Sequence, residues 1–69
     1  MIRQQVSSSN INSVGFYENE EILEIEFNNG SIYQYFDVPK NIFDSLVSAE
    51  SPGGYFARNI KGIFRFSRV

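Results

Sequence analysis

Two alternating segments joined by a short glycine-containing turn constrain this chain more than any other feature of its sequence. Residues 21–27, EILEIEF, alternate apolar side chains with glutamates, which is the period of a strand with one buried face. Residues 28–30, NNG, supply the Asn-Gly dipeptide that is typical of tight hairpin turns. Residues 31–38, SIYQYFDV, then form a further strand segment. The sequence therefore predicts an antiparallel hairpin.

The register of this hairpin decides which face carries Tyr33 and Tyr35, because a shift of one residue exchanges the two faces of a strand. A two-residue turn places both tyrosines among the glutamates on the outer face and buries Gln34. A three-residue loop, residues 28–30, instead pairs Ile25 with Tyr33 and moves both tyrosines into the core. We favour the second register, because burying the Gln34 amide without a partner costs about 1–3 kcal/mol.

The favoured register has a cost of its own, so the other register remains open. It leaves Ile32 and Phe36 on the outer face, where an edge strand or the C-terminal segment must cover them. In neither register do Tyr33 and Tyr35 form a good stacking platform for a nucleic-acid base. Glutamate neighbours would repel phosphate in the first register, and the core mostly buries the tyrosines in the second.

The remaining segments predict strands before this hairpin and helices after it. Residues 11–17, INSVGFY, are a strand candidate, and residues 2–6, IRQQV, alternate as a short edge strand does. Pro39 ends strand geometry and suits the first turn of a helix, which the apolar spacing predicts over residues 39–49. Strands followed by helices indicate an α+β fold.

A second helix and a C-terminal segment complete the chain. Ser51 can cap this helix, and Pro52 suits its first position. The helix is expected to reach about Lys61, with Gly62 as its C-terminal stop. Residues 63–69, IFRFSRV, are expected to form a short strand or an extended tail. The predicted fold is α+β, a small antiparallel β-meander of three to four strands packed by two short helices.

Charge is distributed unevenly along the chain. Residues 1–50 carry all eight acidic residues and two basic ones, a net charge of −6. Residues 51–69 carry four basic residues and no acidic one, a net charge of +4. Either the basic region recruits an anionic partner or the two regions neutralise each other in the fold. The second outcome is favoured.

The composition removes most catalytic and metal-binding chemistry. The chain has no cysteine and no histidine, so it lacks disulfides, thiolate metal sites and the commonest general base. The serines at positions 7–9 have no base to activate them and are expected in a turn. Glu24 and Glu26 are expected to be ordinary strand residues. We therefore expect no enzyme, no catalytic residues, no metal and no cofactor.

Length and hydropathy bound the class of protein. The 69 residues suffice for one small domain, residues 1–69. No segment approaches the roughly 20 apolar residues of a membrane span. The first ten residues lack the apolar stretch of a signal peptide. We expect a cytoplasmic protein with no membrane partner.

Three separated blocks of the sequence resemble the KTSC domain family. These blocks are residues 6–17, VSSSNINSVGFY, residues 23–39, LEIEFNNGSIYQYFDVP, and residues 51–69, SPGGYFARNIKGIFRFSRV. The central tyrosine pair of the family falls on Tyr33 and Tyr35, which Pro39 follows. These three residues are expected to have structural roles.

The resemblance implies a small domain that occurs at the C-terminus of some lysyl-tRNA synthetases and as a stand-alone bacterial protein. The family has no established activity and brings no catalytic residues. RNA binding has been suggested for it by association with the synthetase. The resemblance therefore implies a binding module, with RNA as a candidate ligand.

Residues 51–62, SPGGYFARNIKG, are the best candidate for an anion-binding surface. Gly53 and Gly54 fall in the first turn of the predicted second helix, whose free N–H groups can bind phosphate. Structurally, a tight turn that needs glycine for packing explains the same two residues and is favoured. The candidate nucleic-acid contacts are Gly53, Gly54, Tyr55, Arg58, Lys61, Arg65 and Arg68.

The C-terminal segment interleaves basic and aromatic residues, a pattern found in single-strand binders and, more often, in core strands with a solvated face. In an extended strand, Phe64 and Phe66 face inward and Arg65 faces outward. Arg68 then lies on the opposite side from Arg65.

The leading hypothesis is a non-enzymatic module that binds RNA or another anionic ligand through its basic C-terminal surface. The alternative is a protein-interaction or assembly module. Such a module would use an exposed sheet edge for self-association or for docking a protein partner.

Overall fold

The alternating segments form one antiparallel sheet in a computed structural model that describes residues 2–6 and 8–69, with only the backbone of residue 2. The serine at position 7, expected in a turn, lies outside the described residues. The elements are β1 (Ile2–Gln5), β2 (Ile11–Tyr17), β3 (Ile22–Phe27), β4 (Ile32–Tyr35), α1 (Lys40–Ser48), α2 (Pro52–Asn59) and β5 (Phe66–Arg68). The strands follow chain order across the sheet, so the predicted α+β meander is confirmed. Five strands replace the expected three to four because β1 and β5 both pair.

The central hairpin has the three-residue loop that the sequence favours. Ile25 lies opposite Tyr33, and Leu23 lies opposite Tyr35. The Gly30 backbone is left-handed, with a φ of 92°. Gln34 faces outward, where its amide donates a 3.0 Å hydrogen bond to a Glu24 oxygen. Both tyrosines therefore lie on the face of the sheet that the helices cover, which we call the inner face.

A bulge in β2 increases the apolar content of the inner face. Ile11 lies opposite Phe27 and Ser13 lies opposite Glu26, so Asn12 is an extra residue. Strict alternation would place Ile11 and Val14 on opposite faces, yet both are fully buried in the core.

Each helix contributes a phenylalanine to the core. Phe43 of α1 stacks on Phe16 of β2, with ring centroids 5.1 Å apart. Phe56 of α2 packs edge-on against Phe27 and Tyr35. On β4, the inner face therefore packs against α2 through the contact of Phe56 with Tyr35.

The helix ends follow the sequence signals closely. Pro39 was expected as the first residue of α1. It is instead the extended residue immediately before the helix. Ser51 caps α2 by accepting a hydrogen bond from the Gly54 N–H at 3.2 Å. The helix ends at Asn59 rather than at Lys61, and Gly62 adopts a φ of 79° in the turn beyond it.

Candidate ligand groove

An open groove of about 640 Å³ lies between the inner face of the sheet and α2. Gly53, Ala57 and Lys61 form one wall, on α2 and the turn after it. Residues 9–11, 28, 29 and 31 contribute to the opposite wall. The groove therefore brings together the tyrosine pair and the segment around α2, which lie in different parts of the sequence.

Five aromatic rings form the base of this groove, and we call them the aromatic floor. They are Phe27, Tyr33, Tyr35, Phe56 and Phe66. Neighbouring rings contact one another with centroid distances between 5.5 and 5.8 Å. Such edge-on and tilted pairs are the favoured aromatic geometries, so the floor is a preformed apolar surface.

Exposure differs strongly across the aromatic floor. Tyr35 is 5% exposed, whereas Phe66 is 57% exposed and Tyr33 is half-buried. Tyr35 is buried as the favoured register predicts, whereas Tyr33 is only partly buried. Phe66 and Tyr33 together present ring surface to the groove.

Sequence reasoning missed Phe66 as a candidate functional residue, because alternation assigns it to the core. Phe66 does lie on the inner face, opposite Tyr35. Its ring nevertheless remains largely at the surface. The signal in the sequence was its position between Arg65 and Arg68.

The two phenols of the floor differ in their surroundings. Burial raises the pKa of the Tyr35 hydroxyl above its usual 10, and the nearby Tyr33 hydroxyl raises it further. Across the described part of the chain, neither phenol hydroxyl makes a hydrogen bond. Neither hydroxyl is therefore occupied by another described residue, and both are available to a ligand.

The predicted basic contacts do not all reach the groove. Lys61 lines it, and Arg68 lies opposite Tyr33 on the inner face. Arg58 is exposed in the last turn of α2, outside the groove lining. Arg65 lies on the outer face, where it pairs with Asp37 at 3.0 Å. The two C-terminal arginines therefore occupy opposite faces, as alternation predicts.

The favoured explanation of the charge asymmetry is that acidic and basic regions neutralise each other. Among the C-terminal cations, this holds for Arg65. The Arg65 guanidinium also lies 5.3 Å from the centre of the Phe36 ring. Within residues 2–6 and 8–69, Arg58, Lys61 and Arg68 form no ion pair. Of these three unpaired cations, Lys61 lines the groove and Arg68 lies on the inner face opposite Tyr33.

The two glycines at the start of α2 have structural explanations. A Cβ on Gly53 would lie 3.1 Å from the Ser8 hydroxyl oxygen, and one on Gly54 would lie 3.1 Å from that of Ser51. The Gly54 N–H already donates to this Ser51 oxygen. Tyr55 is half-buried against the core. Close packing accounts for both glycines, and the Arg58 guanidinium also lies 3.1 Å from the position of a Cβ on Gly54.

The outer face is held by a polar network. Arg3 donates to Ser13 at 3.1 Å and pairs with Glu24, which also accepts from Gln34. Ser13 in turn donates to Glu26 at 3.3 Å. Carboxylates on this face make it unsuitable for phosphate, so the inner face is the better candidate for an anionic ligand.

Among residues 2–6 and 8–69, no three acidic side chains lie close enough together to bind a metal ion. Neither α1 nor α2 has the length and apolar content needed to cross a bilayer.

The proteins similar to this chain include a KTSC domain protein and a lysine–tRNA ligase. Residues 7–64 match the family model described as the KTSC domain. A KTSC domain protein from Yersinia pestis, solved by crystallography, superposes with a TM-score of 0.91 at 41% identity, covering 97% of this chain and 94% of that one. A protein of Tsukamurella paurometabola is 40% identical over 62 residues, which are 90% of this chain and 92% of that protein. A lysine–tRNA ligase of Nostoc punctiforme is 38% identical over 59 residues, covering 86% of this chain but only 10% of the ligase.

Proposed function

This chain belongs to the KTSC domain family, and from that premise we propose that it is a non-enzymatic module whose groove binds single-stranded RNA. One observation carries the proposal: the exposed Phe66 ring lies on the same face as the uncompensated charge of Arg68 and beside Lys61. Aromatic rings that take stacked bases, next to cations that take phosphates, are the usual components of single-strand binding sites.

The expected affinity is modest. Stacking of one base on an aromatic side chain contributes about 1–3 kcal/mol. Contact of Arg58, Lys61 and Arg68 with phosphates would give a slope of log K against log salt of about −2. The affinity of this groove for RNA should therefore fall steeply between low and moderate salt.

The relatives provide weaker support for the same ligand class. The Nostoc punctiforme relative is named for joining lysine to tRNA, and it includes a segment similar to this chain. A module attached to an enzyme of that kind is close to RNA. The same module as a separate protein would supply RNA binding without the catalytic part.

The test is a chemical-shift titration of the protein with a pool of short single-stranded RNAs at low and moderate salt. We expect shifts at the aromatic floor and around Lys61 and Arg68, and weaker binding at the higher salt. The absence of any shift at low salt would refute the proposal.

One observation favours a second candidate, a protein-interaction module. The Arg65 carbonyl and the Val69 N–H bond to β4, so the backbone groups of Phe66 and Arg68 point towards the free edge of β5. An added strand could pair there. A second copy of β5 would bring two copies of Arg68 together, so an acidic extended peptide is the favoured occupant. Shifts with such a peptide, without RNA binding, would favour this candidate.

A further inference from the structure

Tyr35 combines deep burial with an unused polar atom. Its ring is packed between Phe56 and Phe66, at 5.5 Å from each ring centroid. No described residue hydrogen-bonds to its hydroxyl, yet no side-chain oxygen is sealed from solvent without a partner in the described part of the chain. Since Tyr35 lines the groove, we infer that its hydroxyl opens into it.

A phenol in this position needs an explanation other than packing. A phenylalanine would make the same ring contacts with Phe56 and Phe66, so packing of the ring does not account for the hydroxyl. A tyrosine whose ring is buried usually has a hydrogen-bond partner for its hydroxyl. No described residue is that partner, so the hydroxyl is free to bond to water or to a ligand in the groove.

We propose that the Tyr35 hydroxyl is the polar anchor of the groove, donating a hydrogen bond to a carbonyl oxygen of a base held in the groove. This inference rests on the proposed function and names the group that recognises the ligand. Burial and Tyr33 both raise the Tyr35 pKa, so the hydroxyl keeps its proton and acts as a donor.

The arrangement of the floor fits this assignment. Phe66 lies 5.8 Å from Tyr33 and 5.5 Å from Tyr35, between ring centroids. A flat ring that lies against Phe66 inside the groove is therefore next to both phenols. Phe66 supplies stacking, Lys61 and Arg68 attract phosphate, and Tyr35 contacts the edge of the base.

The test compares Tyr35→Phe with Tyr17→Phe, which removes a half-buried hydroxyl on β2, outside the groove lining. The probes are a single-stranded hexamer of uridylate and the uncharged nucleoside uridine. We expect Tyr35→Phe to weaken the binding of both probes about three- to tenfold, the value of one hydrogen bond. Tyr17→Phe should leave binding unchanged. Thermal unfolding should show Tyr35→Phe to be close in stability to the parent, because its ring contacts are kept.

The outcomes separate this inference from the proposed function. Equal hexamer binding by the parent and Tyr35→Phe would overturn the anchor and leave RNA binding intact. Suppose that the parent binds the hexamer no more tightly than uridine, and that Tyr35→Phe loses uridine binding. This result would support the anchor and refute the RNA proposal. A parent that binds neither probe refutes both.

Discussion

Arg65 and Arg68 lie three residues apart and on opposite faces of the sheet. Arg68 is opposite Tyr33 on the inner face, whereas Arg65 is paired with Asp37 on the outer face. The two equal charges therefore have different neighbours. Comparing their substitutions distinguishes binding on the inner face from general attraction of a polyanion.

We predict that Arg68→Gln weakens RNA binding and that Arg65→Gln does so far less. Loss of one phosphate contact should also reduce the salt slope by about 0.7 for Arg68→Gln alone. Fluorescence anisotropy at several salt concentrations measures both quantities. Equal effects of the two substitutions would indicate non-specific attraction instead of groove binding.

Phe66→Ala should separate binding from stability. Because the Phe66 ring is largely exposed, we expect a change of less than about 1 kcal/mol in the free energy of unfolding. The affinity for single-stranded RNA should fall by about 1–3 kcal/mol, the value of a lost stacking contact. Denaturant titration and anisotropy measure the two effects. Unchanged affinity would remove Phe66 from the interface.

Tyr33→Ala tests the energetic role of the tyrosine on the inner face. Its ring contacts Phe27 and Phe66 but stays half-buried. We expect a loss of about 2 kcal/mol by urea unfolding, below the roughly 3–5 kcal/mol of a fully buried aromatic. Phe16→Ala provides that upper reference, because Phe16 is fully buried. A neutral Tyr33→Ala would mean that its contacts contribute little to folding.

Glu21 adopts a left-handed backbone with a φ of 55°, which favours glycine over any residue with a side chain. Glu21→Gly removes this backbone strain but raises the conformational entropy of the unfolded chain, which offsets part of the gain. We expect a net rise of about 0.5 kcal/mol in the free energy of unfolding. Glu20→Gly in the same turn should lower it, since Glu20 has no positive φ to relieve. Both variants are compared by thermal unfolding, and a destabilised Glu21→Gly would contradict the argument.

Tyr35 should make stability depend on pH in the alkaline range. Its folded pKa lies above the unfolded value near 10, so the folded protein holds the proton more tightly. This contribution is complete below pH 10 and is lost as the pH rises through the folded pKa. Unfolding measured from pH 8 to 11 should show a smaller decline in Tyr35→Phe than in the parent. Identical profiles would show that the Tyr35 proton is not linked to folding.

The hairpin register could be predicted because its cost is local: one alternative buries the Gln34 amide in mid-strand. The opposite faces of Arg65 and Arg68 also follow from alternation alone. The exposure of Phe66 could not be predicted, since it depends on where the helices stop covering the sheet. The close approach of Ser8 to a Cβ at Gly53 could not be predicted either, because Ser8 is distant in sequence and becomes a neighbour only in the fold.

Phe56 touches both Phe27 and Tyr35, so the floor of the groove and the wall of the core share the same side chains. A ligand on this floor binds the folded chain and not the unfolded one. At a free ligand concentration of a hundred times Kd, it would add about 2.7 kcal/mol to the free energy of unfolding. For a domain of this size, that is a large share of the total. Occupancy of the groove would then control how long the protein survives proteolysis, as well as what it binds.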